Sequence, residues 1–191
     1  FFTMPEIRDY PQRKAKKLWL SYAELGEFVS HAEKKQVVPL KLLAYTGCRV
    51  SECAALTEES KQEANNIWTL KILDSKPGAH GSSRVCPLPT ELIHADFDTI
   101  PKKRTIQRYV SDTAERYAEA KQNPELCHIS AHTCRRSLGT ALYNEFGVTP
   151  EVICHWLGFT YQTFADHYAL FDSAQNLNQQ RAKVPFYTLA Q

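Results

Sequence analysis

The sequence predicts a mainly α-helical fold with a small antiparallel β-sheet, an α+β architecture. Apolar residues recur with a helical period over most of the chain, and capping residues or glycines mark the ends of these segments. Between Ile67 and Leu88 the period changes to that of strands, around a turn rich in proline and glycine. With 191 residues, an apolar fraction of 43% and a charged fraction of 23%, the composition is that of an ordinary globular domain.

The helices predicted before the sheet are recognised by their start and stop signals. Ser21 and Glu24 fit a capping box, in which each side chain binds the backbone N–H of the other residue. Gly47 ends the second helix, because glycine adopts a left-handed C-cap without a steric penalty. A third helix begins soon after this glycine. The predicted ranges are 21–31, 38–46 and 49–56.

Two strands are predicted in the middle of the chain. The segments IWTLKIL (67–73) and RVCPL (84–88) favour strands, and the intervening DSKPGAHGSS consists largely of turn-forming residues. The pattern therefore predicts a β-hairpin or part of a small antiparallel sheet, with Lys76 at the tip of the hairpin.

Helices are predicted again after the hairpin. The longest has a buried stripe in helical phase, and the next has a second one. Thr149 caps a helix that has Pro150 in its first turn and that breaks at Gly158. The other predicted helices are 89–97, 105–121 with the stripe Ile106, Val110, Ala114 and Tyr117, and 131–146 with the stripe Cys134, Leu138, Ala141 and Leu142.

The last predicted helix lies in LGFTYQTFADHY, residues 157 to 168. Its aromatic residues Tyr161, Phe164 and Tyr168 recur at helical spacing, so the pattern predicts a stripe that faces the core. A tyrosine at the end of a short helix has a second interpretation, as a chemical residue held out for a substrate.

Charge and composition suggest a basic arm, a central domain and a polar tail. We assign residues 1–20 to the arm, 21–171 to the domain and 172–191 to the tail, and the start at Phe1 suggests that an upstream domain is missing. The net charge is only +2, but local clusters can engage phosphates or simply be solvated surface. No membrane span or signal peptide is recognisable, which favours a cytoplasmic protein. The basic clusters are Arg13, Lys14, Lys16 and Lys17, and Lys102, Lys103, Arg104 and Arg108.

The cysteines do not predict a metal centre or a redox motif. No CxxC pair occurs, and most of the cysteines lie among apolar neighbours, so reduced buried thiols are expected. The one alternative is the segment CHISAHTC, with Cys127, His128, His132 and Cys134, but its spacing does not match common structural zinc sites.

Several motifs could hold and react with an anion. Arg49 follows a glycine turn, and Glu52 lies one turn later, so the pair is either an ordinary surface pair or a phosphate clamp with a carboxylate that holds it. His132 and Arg135 project together beside a buried stripe, either half-exposed and inert or open to a substrate. Lys76 either solubilises the hairpin or donates a proton from it.

Taken together, these motifs resemble the catalytic domain of the tyrosine recombinases, the family of phage integrases and of recombinases that resolve chromosome dimers. The order is TGxRxxE at Arg49, a lysine on a β-turn, HxxR at His132, then LG followed by a tyrosine eleven residues after Leu157. The resemblance spans residues 21 to 168, and it rests on the combination, since each motif alone is weak.

The resemblance implies a site-specific DNA recombinase. Tyr168 would attack a DNA phosphodiester to form a 3′-phosphotyrosyl link, while Arg49 and Arg135 stabilise the charge on the phosphate. His132 would help accept the tyrosine proton, Lys76 would protonate the departing 5′-oxygen, and Glu52 would support Arg49. The covalent link conserves the bond energy, so neither a nucleotide cofactor nor a metal is expected.

The sequence departs from the family pattern at Phe159. The family usually has histidine or tryptophan after the LG pair, whose ring N–H binds the phosphate, whereas phenylalanine can support the nucleophile helix but cannot donate. A catalytically attenuated DNA-binding or assembly module is therefore the alternative, and a type IB topoisomerase-like enzyme is another.

The resemblance also implies macromolecular partners. We expect double-stranded DNA, contacted in part by Lys102, Lys103, Arg104 and Arg108, and other protomers that form a tetramer on DNA from monomers. The tail from Asp172 either docks on a neighbouring protomer or folds back on its own domain. The target sequence is not predicted, nor whether the reaction is integration, excision or dimer resolution.

Overall fold

The computed structural model describes residues 18–78 and 81–167. Its elements follow the predicted order, with helices before and after one antiparallel sheet. The helices are α1 (Tyr22–Ser30), α2 (Val37–Thr46), α3 (Val50–Cys53), α4 (Lys103–Ala120), α5 (Ala131–Asn144), α6 (Pro150–Leu157) and α7 (Tyr161–His167). The strands are β1 (Lys61–Ala64), β2 (Ile67–Gly78) and β3 (Gly81–Pro87). Among the described residues, no helix has the length and apolar character needed to cross a bilayer.

Most of the predicted helix start and stop signals are confirmed, but the Thr149 cap is not. At the start of α1, the Ser21 N–H donates to Glu24 Oε2 at 2.7 Å, and the Glu24 N–H donates to Ser21 Oγ at 3.3 Å. Gly47 ends α2 with φ of 64°, and Gly158 ends α6 with φ of 65°. Pro150 occupies the first turn of α6, but the Thr149 side chain makes no capping hydrogen bond.

The small antiparallel sheet is confirmed, and it contains one strand more than the two that were predicted. β2 pairs with β3 in an antiparallel register that includes Ile72 opposite Arg84, and β1 pairs with the other edge of β2. β1 was not predicted, because its sequence KQEA has no alternating apolar residues. Both hairpin strands continue into the predicted turn, so Lys76 lies within β2 and not at the hairpin tip.

Two predicted helices are shorter than expected. In place of a helix over 49–56, α3 is a single turn, and the chain continues in tighter turns such as the hydrogen bond from the Leu56 N–H to Cys53 O at 3.2 Å. In place of a helix over 89–97, only Thr90–Leu92 forms a 3₁₀ turn. The Lys61 ammonium donates to Ile93 O at 3.1 Å and to Ala95 O at 2.5 Å. These carbonyls therefore accept hydrogen bonds from a side chain and not from the backbone of a helix.

The helices pack their predicted stripes into one core. The stripe of α4 and the stripe of α5 are buried throughout, and α2 packs between α1 and α5 with most of its residues buried. Leu20, which we assigned to the arm, is 2% exposed and belongs to this core. Among residues 161–165 of α7, whose side chains the structure describes, only Phe164 is buried. Tyr161 is 62% exposed, so its predicted place in a core-facing stripe is wrong.

Gly47 offers a direct test of this packing. A Cβ at Gly47 would overlap Leu157 Cδ2 and lie 3.2 Å from Leu138 Cδ2, in a left-handed conformation that L-residues avoid. We expect Gly47→Ala to lower the free energy of unfolding by about 2–4 kcal/mol, as strain and overpacking add. Urea unfolding followed by circular dichroism measures this loss.

Gly26→Ala is the matched control. Gly26 lies in α1, and a Cβ there would meet Tyr45 Oη at an ordinary 3.6 Å. Alanine in a helix interior is more favourable than glycine, so we expect stabilisation by about 0.5–1 kcal/mol. Equal effects of the two substitutions would contradict the packing described for Gly47.

Candidate active site

The N-terminal ends of α3, α4 and α5 border a cleft of about 260 Å³. Three of the side chains predicted to form the site, Arg49, His132 and Arg135, line this cleft although they are far apart in the sequence. Lys103, from the predicted DNA-binding cluster, lines it too. We call this space the arginine cleft; its other lining residues are Val50, Ser51, Gln107 and Ala131.

Arg49 is held by Glu52 at the start of α3. Arg49 Nη1 donates to Glu52 Oε1 at 2.6 Å, and the Arg49 backbone N–H donates to Glu52 Oε2 at 2.7 Å. The Arg49 side chain is 36% exposed while the Glu52 side chain is fully buried. The carboxylate therefore fixes the arginine from the protein side and leaves its guanidinium open to the cleft.

A second arginine, Arg84, binds the same carboxylate from inside the protein. Arg84 Nη2 donates to Glu52 Oε2 at 2.6 Å, and both side chains are fully buried. Arg84 Nε donates to the carbonyl of Trp156, near the end of α6, at 3.0 Å. These two hydrogen bonds link β3 and α6 to the start of α3, where Arg49 lies.

The environment of Glu52 favours its charged form. Burial alone would raise the pKa of this carboxyl, but hydrogen bonds from Arg84 and Arg49 and the charge of Arg84 outweigh burial and lower the pKa to about 2. A pKa lowered on folding stabilises the protein above the ordinary pKa, near 4.5, and this stabilisation is lost as the pH falls from there towards 2.

Glu52→Gln is therefore expected to flatten the acid side of the stability profile. The wild type should lose on the order of 3 kcal/mol through this one group between about pH 4.5 and pH 2, and the glutamine variant should not. The variant should be less stable at pH 7, where Arg84 loses its buried partner. Urea unfolding at a series of pH values measures both effects; parallel profiles for the two proteins would exclude this role of Glu52.

Arg135 is the most buried of the cleft residues singled out from the sequence. It is 3% exposed, and its guanidinium donates to Gly47 O at 2.5 Å and to Leu157 O. Its Cζ lies 5.6 Å from the centroid of the Phe159 ring, which is itself buried. Arg135 thus connects the C-terminal ends of α2 and α6. Its guanidinium packs against Phe159, the residue at which the sequence departs from the family pattern.

His132 and the basic cluster lie on the exposed side of the cleft. His132 is exposed in the first turn of α5, which Ser130 caps. Lys102, Lys103 and Arg104 lie at the N-terminal end of α4, where the helix dipole disfavours cations. They and Arg108 are exposed, and no described residue forms an ion pair with any of the four. This placement favours an external anionic partner over a role in stability.

Solved structures of DNA recombinases have the same architecture. The crystal structure of XerA recombinase matches with a TM-score of 0.66 at 17% identity, over 93% of this chain and 68% of that one. XerH site-specific recombinase bound to palindromic difH, a post-cleavage complex, matches with a TM-score of 0.63 at 20% identity, over 86% and 52%. The Tn1549 transposon integrase in complex with transposon right end DNA matches with a TM-score of 0.63 at 17% identity, over 89% and 68%.

The chain has the tyrosine recombinase catalytic-domain fold. The predicted fold class is thereby confirmed. The protein spans between 52% and 68% of the length of these three solved recombinase chains. Its sequence matches no protein-family model and no curated protein.

The structure does not describe the side chains of two residues predicted for the recombinase site, Tyr168 and Lys76. α7 ends at His167, and Tyr168, the predicted nucleophile, follows it outside the described residues. The backbone of Lys76 lies in β2, but its side chain is not described. The arm up to residue 17 and the tail from residue 172 are outside the described residues as well.

The segment CHISAHTC, residues 127–134, runs into the start of α5, and its two cysteines differ in exposure. Cys127 is exposed, whereas Cys134 is buried in the stripe of α5, so the two thiols lie in different environments. Within residues 18–78 and 81–167, no group of three or more His, Cys, Asp or Glu side chains is placed to hold a metal ion.

The role of Arg84 as the buried partner of Glu52 was not predicted from the sequence. Its signal is present in β3 and the residue after it, where Arg84, Cys86 and Leu88 share the inward-facing parity and Val85 is exposed. An arginine among inward-facing apolar positions requires a buried counter-ion. Glu52 provides it, but only the folded chain brings these two residues together.

Proposed function

We propose that this protein is a site-specific DNA strand transferase of the tyrosine recombinase type, which cleaves and rejoins DNA through a 3′-phosphotyrosyl intermediate at Tyr168. The observation that supports this most directly is the meeting of Arg49, His132 and Arg135 in one cleft of a recombinase fold. The sequence resemblance assigns Arg49 and Arg135 to stabilising the phosphate and His132 to accepting the tyrosine proton.

In the proposed reaction, the phenolic oxygen of Tyr168 attacks the phosphorus of a DNA phosphodiester. The bond from phosphorus to the 5′-oxygen breaks, and a 5′-hydroxyl leaves with a proton supplied by Lys76. Tyrosine has an ordinary pKa of about 10, so proton removal by His132 makes it a better nucleophile at neutral pH. Attack by another strand's 5′-hydroxyl reverses these steps and rejoins the DNA.

The two arginines supply the electrostatic part of the catalysis. The phosphate gains negative charge on its equatorial oxygens in the transition state, and Arg49 and Arg135 approach the cleft from different elements. Each preorganised donor of this kind is worth roughly 3 kcal/mol, or about a hundredfold in rate. The clamp consists of protein side chains, so it functions without a cofactor.

The basic cluster would hold the DNA beside the cleft. Lys103 lines the cleft, and Lys102, Arg104 and Arg108 are exposed on the same end of α4. Phosphate contacts of this kind fix the register of the DNA and make binding strongly dependent on salt. We propose that other protomers complete the assembly on double-stranded DNA, as a tetramer built from monomers.

A sequence-independent search for the covalent intermediate tests the proposal. Full-length protein is incubated with nicked DNA duplexes whose internal sequence is randomised, so that cleaved ends diffuse away and adducts accumulate. After denaturation and nuclease digestion, mass spectrometry should find a nucleotide linked to the peptide that contains Tyr168. Absence of any adduct would reject the strand transferase, and relaxation of supercoiled DNA without sequence preference would indicate a type IB topoisomerase.

A second candidate function, an attenuated DNA-binding or assembly module, is favoured by Phe159. This ring is 7% exposed and packs on Arg135, but it has no N–H to donate to a phosphate. In the attenuated module the fold and the DNA surface would be retained while cleavage is lost. The adduct search separates the two candidates, because DNA binding without an adduct identifies the second.

Phe159→His measures what the missing donor contributes. We expect the cleavage rate to rise by about tenfold, less than a full oxyanion-type donor provides, because the histidine also gives up part of the contact with Arg135. Single-turnover adduct formation gives the rate. An unchanged rate would show that the donor is supplied elsewhere or is not needed.

A further inference from the structure

We propose that Lys103 is a further catalytic residue, whose ammonium donates a hydrogen bond to a non-bridging oxygen of the scissile phosphate in the arginine cleft. It is then the third cationic donor to that phosphate, beside Arg49 and Arg135. This role rests on the proposed function, because it takes the bound phosphate to be a DNA phosphodiester. It goes beyond that function, in which the basic cluster holds the DNA only beside the cleft.

The helical repeat of α4 places Lys103 at the cleft. Lys103 is the first residue of this helix, and Gln107, one turn later on the same face, lines the cleft as well. The adjacent cations Lys102 and Arg104 do not line the cleft, and neither does Arg108. Of the four residues in the basic cluster, only Lys103 therefore borders the space that the two arginines share.

The described lining of the cleft contains hydrogen-bond donors and no acidic side chain. Arg49, Lys103 and Arg135 are cationic, and they come from the starts of three different helices or their first residues. The carboxylate that holds Arg49 is fully buried behind it. A phosphate that enters the cleft is therefore met by cations from several directions, which is how proteins bind phosphate without a metal ion.

The ammonium of Lys103 is not engaged by the part of the protein that the structure describes. Lys103 is exposed, and no residue within 18–78 and 81–167 forms an ion pair or a hydrogen bond with its side chain. Its place in the first turn of α4 is also where the helix dipole disfavours a cation. The charge of Lys103 thus contributes little to the fold, and an anion in the cleft would stabilise it.

The two arginines differ from Lys103 in how they are held. Arg49 donates to Glu52 at 2.6 Å, and Arg135 donates to the carbonyl of Gly47 at 2.5 Å. Lysine carries a compact charge on a flexible stem, so its ammonium can follow a phosphate oxygen as the phosphorus changes geometry. The phosphate oxygens gain negative charge in the transition state, so this contact strengthens there and accelerates cleavage. Lys103 transfers no proton in this role.

The experiment compares Lys103→Met with Lys103→Arg in the full-length protein. Both replacements have unbranched stems and favour helices, but only arginine retains the positive charge. Inorganic phosphate is titrated while the arginine side-chain N–H resonances are followed by NMR, and the single-turnover rate of DNA cleavage is measured at saturating protein. Lys121→Met is the matched control, because Lys121 follows the opposite end of α4 and pairs with Glu27 at 2.6 Å.

Lys103→Met should weaken phosphate binding by about tenfold, as expected for one charge-assisted contact in a cleft open to solvent. It should lower the cleavage rate at saturating protein by roughly tenfold to a hundredfold. Lys103→Arg should retain most of both properties, because a guanidinium can donate in place of the ammonium. Lys121→Met should match the wild type in both.

The cleavage rate at saturating protein separates a catalytic contact from a flanking one. A residue that only holds neighbouring DNA changes the affinity and not this rate, so a wild-type rate in Lys103→Met would overturn the catalytic role. Equal losses in Lys103→Met and Lys121→Met would overturn it as well, because they would reflect the general charge of the protein.

Failure of the proposed function has a different signature, which is the absence of any DNA adduct in the wild type. The phosphate titration then decides the place of Lys103. A tenfold loss in Lys103→Met, with none in Lys121→Met, would retain Lys103 as a phosphate-binding residue of the cleft and reject the strand transferase. An unchanged phosphate affinity in Lys103→Met would overturn both.

Discussion

Replacing Tyr168 with phenylalanine is expected to abolish the covalent protein–DNA adduct completely. Phenylalanine keeps the ring but has no oxygen to attack phosphorus, so no phosphotyrosyl bond can form whatever the state of the other residues. Binding of DNA should persist, because the exposed cations Lys102, Lys103 and Arg108 are unchanged. Denaturing gels and adduct mass spectrometry measure the first property, and a mobility-shift assay measures the second.

Tyr161→Phe is the control in α7, the helix that precedes Tyr168 in the sequence. Tyr161 is 62% exposed in the first turn of α7, and it carries the nearest other phenolic oxygen along the chain. The adduct should form at the wild-type level in this variant. If Tyr168→Phe still forms an adduct, or if the adduct is lost in Tyr161→Phe, the assignment of the nucleophile is wrong.

Replacing Arg135 with lysine is expected to lower the cleavage rate by roughly a hundredfold or more. The guanidinium reaches Gly47 O and Leu157 O with separate nitrogens of its planar fork. A lysine ammonium has one nitrogen in place of three, so it cannot donate to both carbonyls while it also binds a substrate. Single-turnover rates at saturating protein, well below the unfolding temperature of the variant, measure the loss.

Arg136→Lys is the control for the arginine chemistry. Arg136 is the next residue of α5, but it donates to Leu18 O at 3.1 Å and does not line the arginine cleft. Its cleavage rate should stay close to that of the wild type. A wild-type rate in Arg135→Lys would show that the bridging geometry of Arg135 is not needed for cleavage.

The sequence predicts those features of this fold that are determined locally. The capping box of Ser21 and Glu24, the left-handed Gly47 and the buried stripe of α4 depend on residues within a few turns of one another. The motifs around Arg49 and Arg135 were identified from their order along the chain. Their meeting in one cleft became visible only in the folded protein.

The errors arose where distant residues decide the outcome. The backbone around Ile93 fails to form a helix because Lys61, from β1, binds its carbonyl. Tyr161 is exposed although its spacing fits the aromatic stripe, whereas Phe164 is buried and packs edge-on against the ring of Tyr143, with 5.1 Å between the ring centroids. Neither effect can be obtained from the periodicity of a single segment.

Two helix C-termini meet at Arg135, at Gly47 O after α2 and Leu157 O at the end of α6. The aligned peptide dipoles of a helix place about half a negative elementary charge at this end, so two such ends together roughly match one guanidinium. That charge is spread over backbone carbonyls fixed in the fold, whereas a carboxylate would concentrate it and compete with an incoming anion. The macrodipoles of α2 and α6 thus solvate the buried cation in place of water.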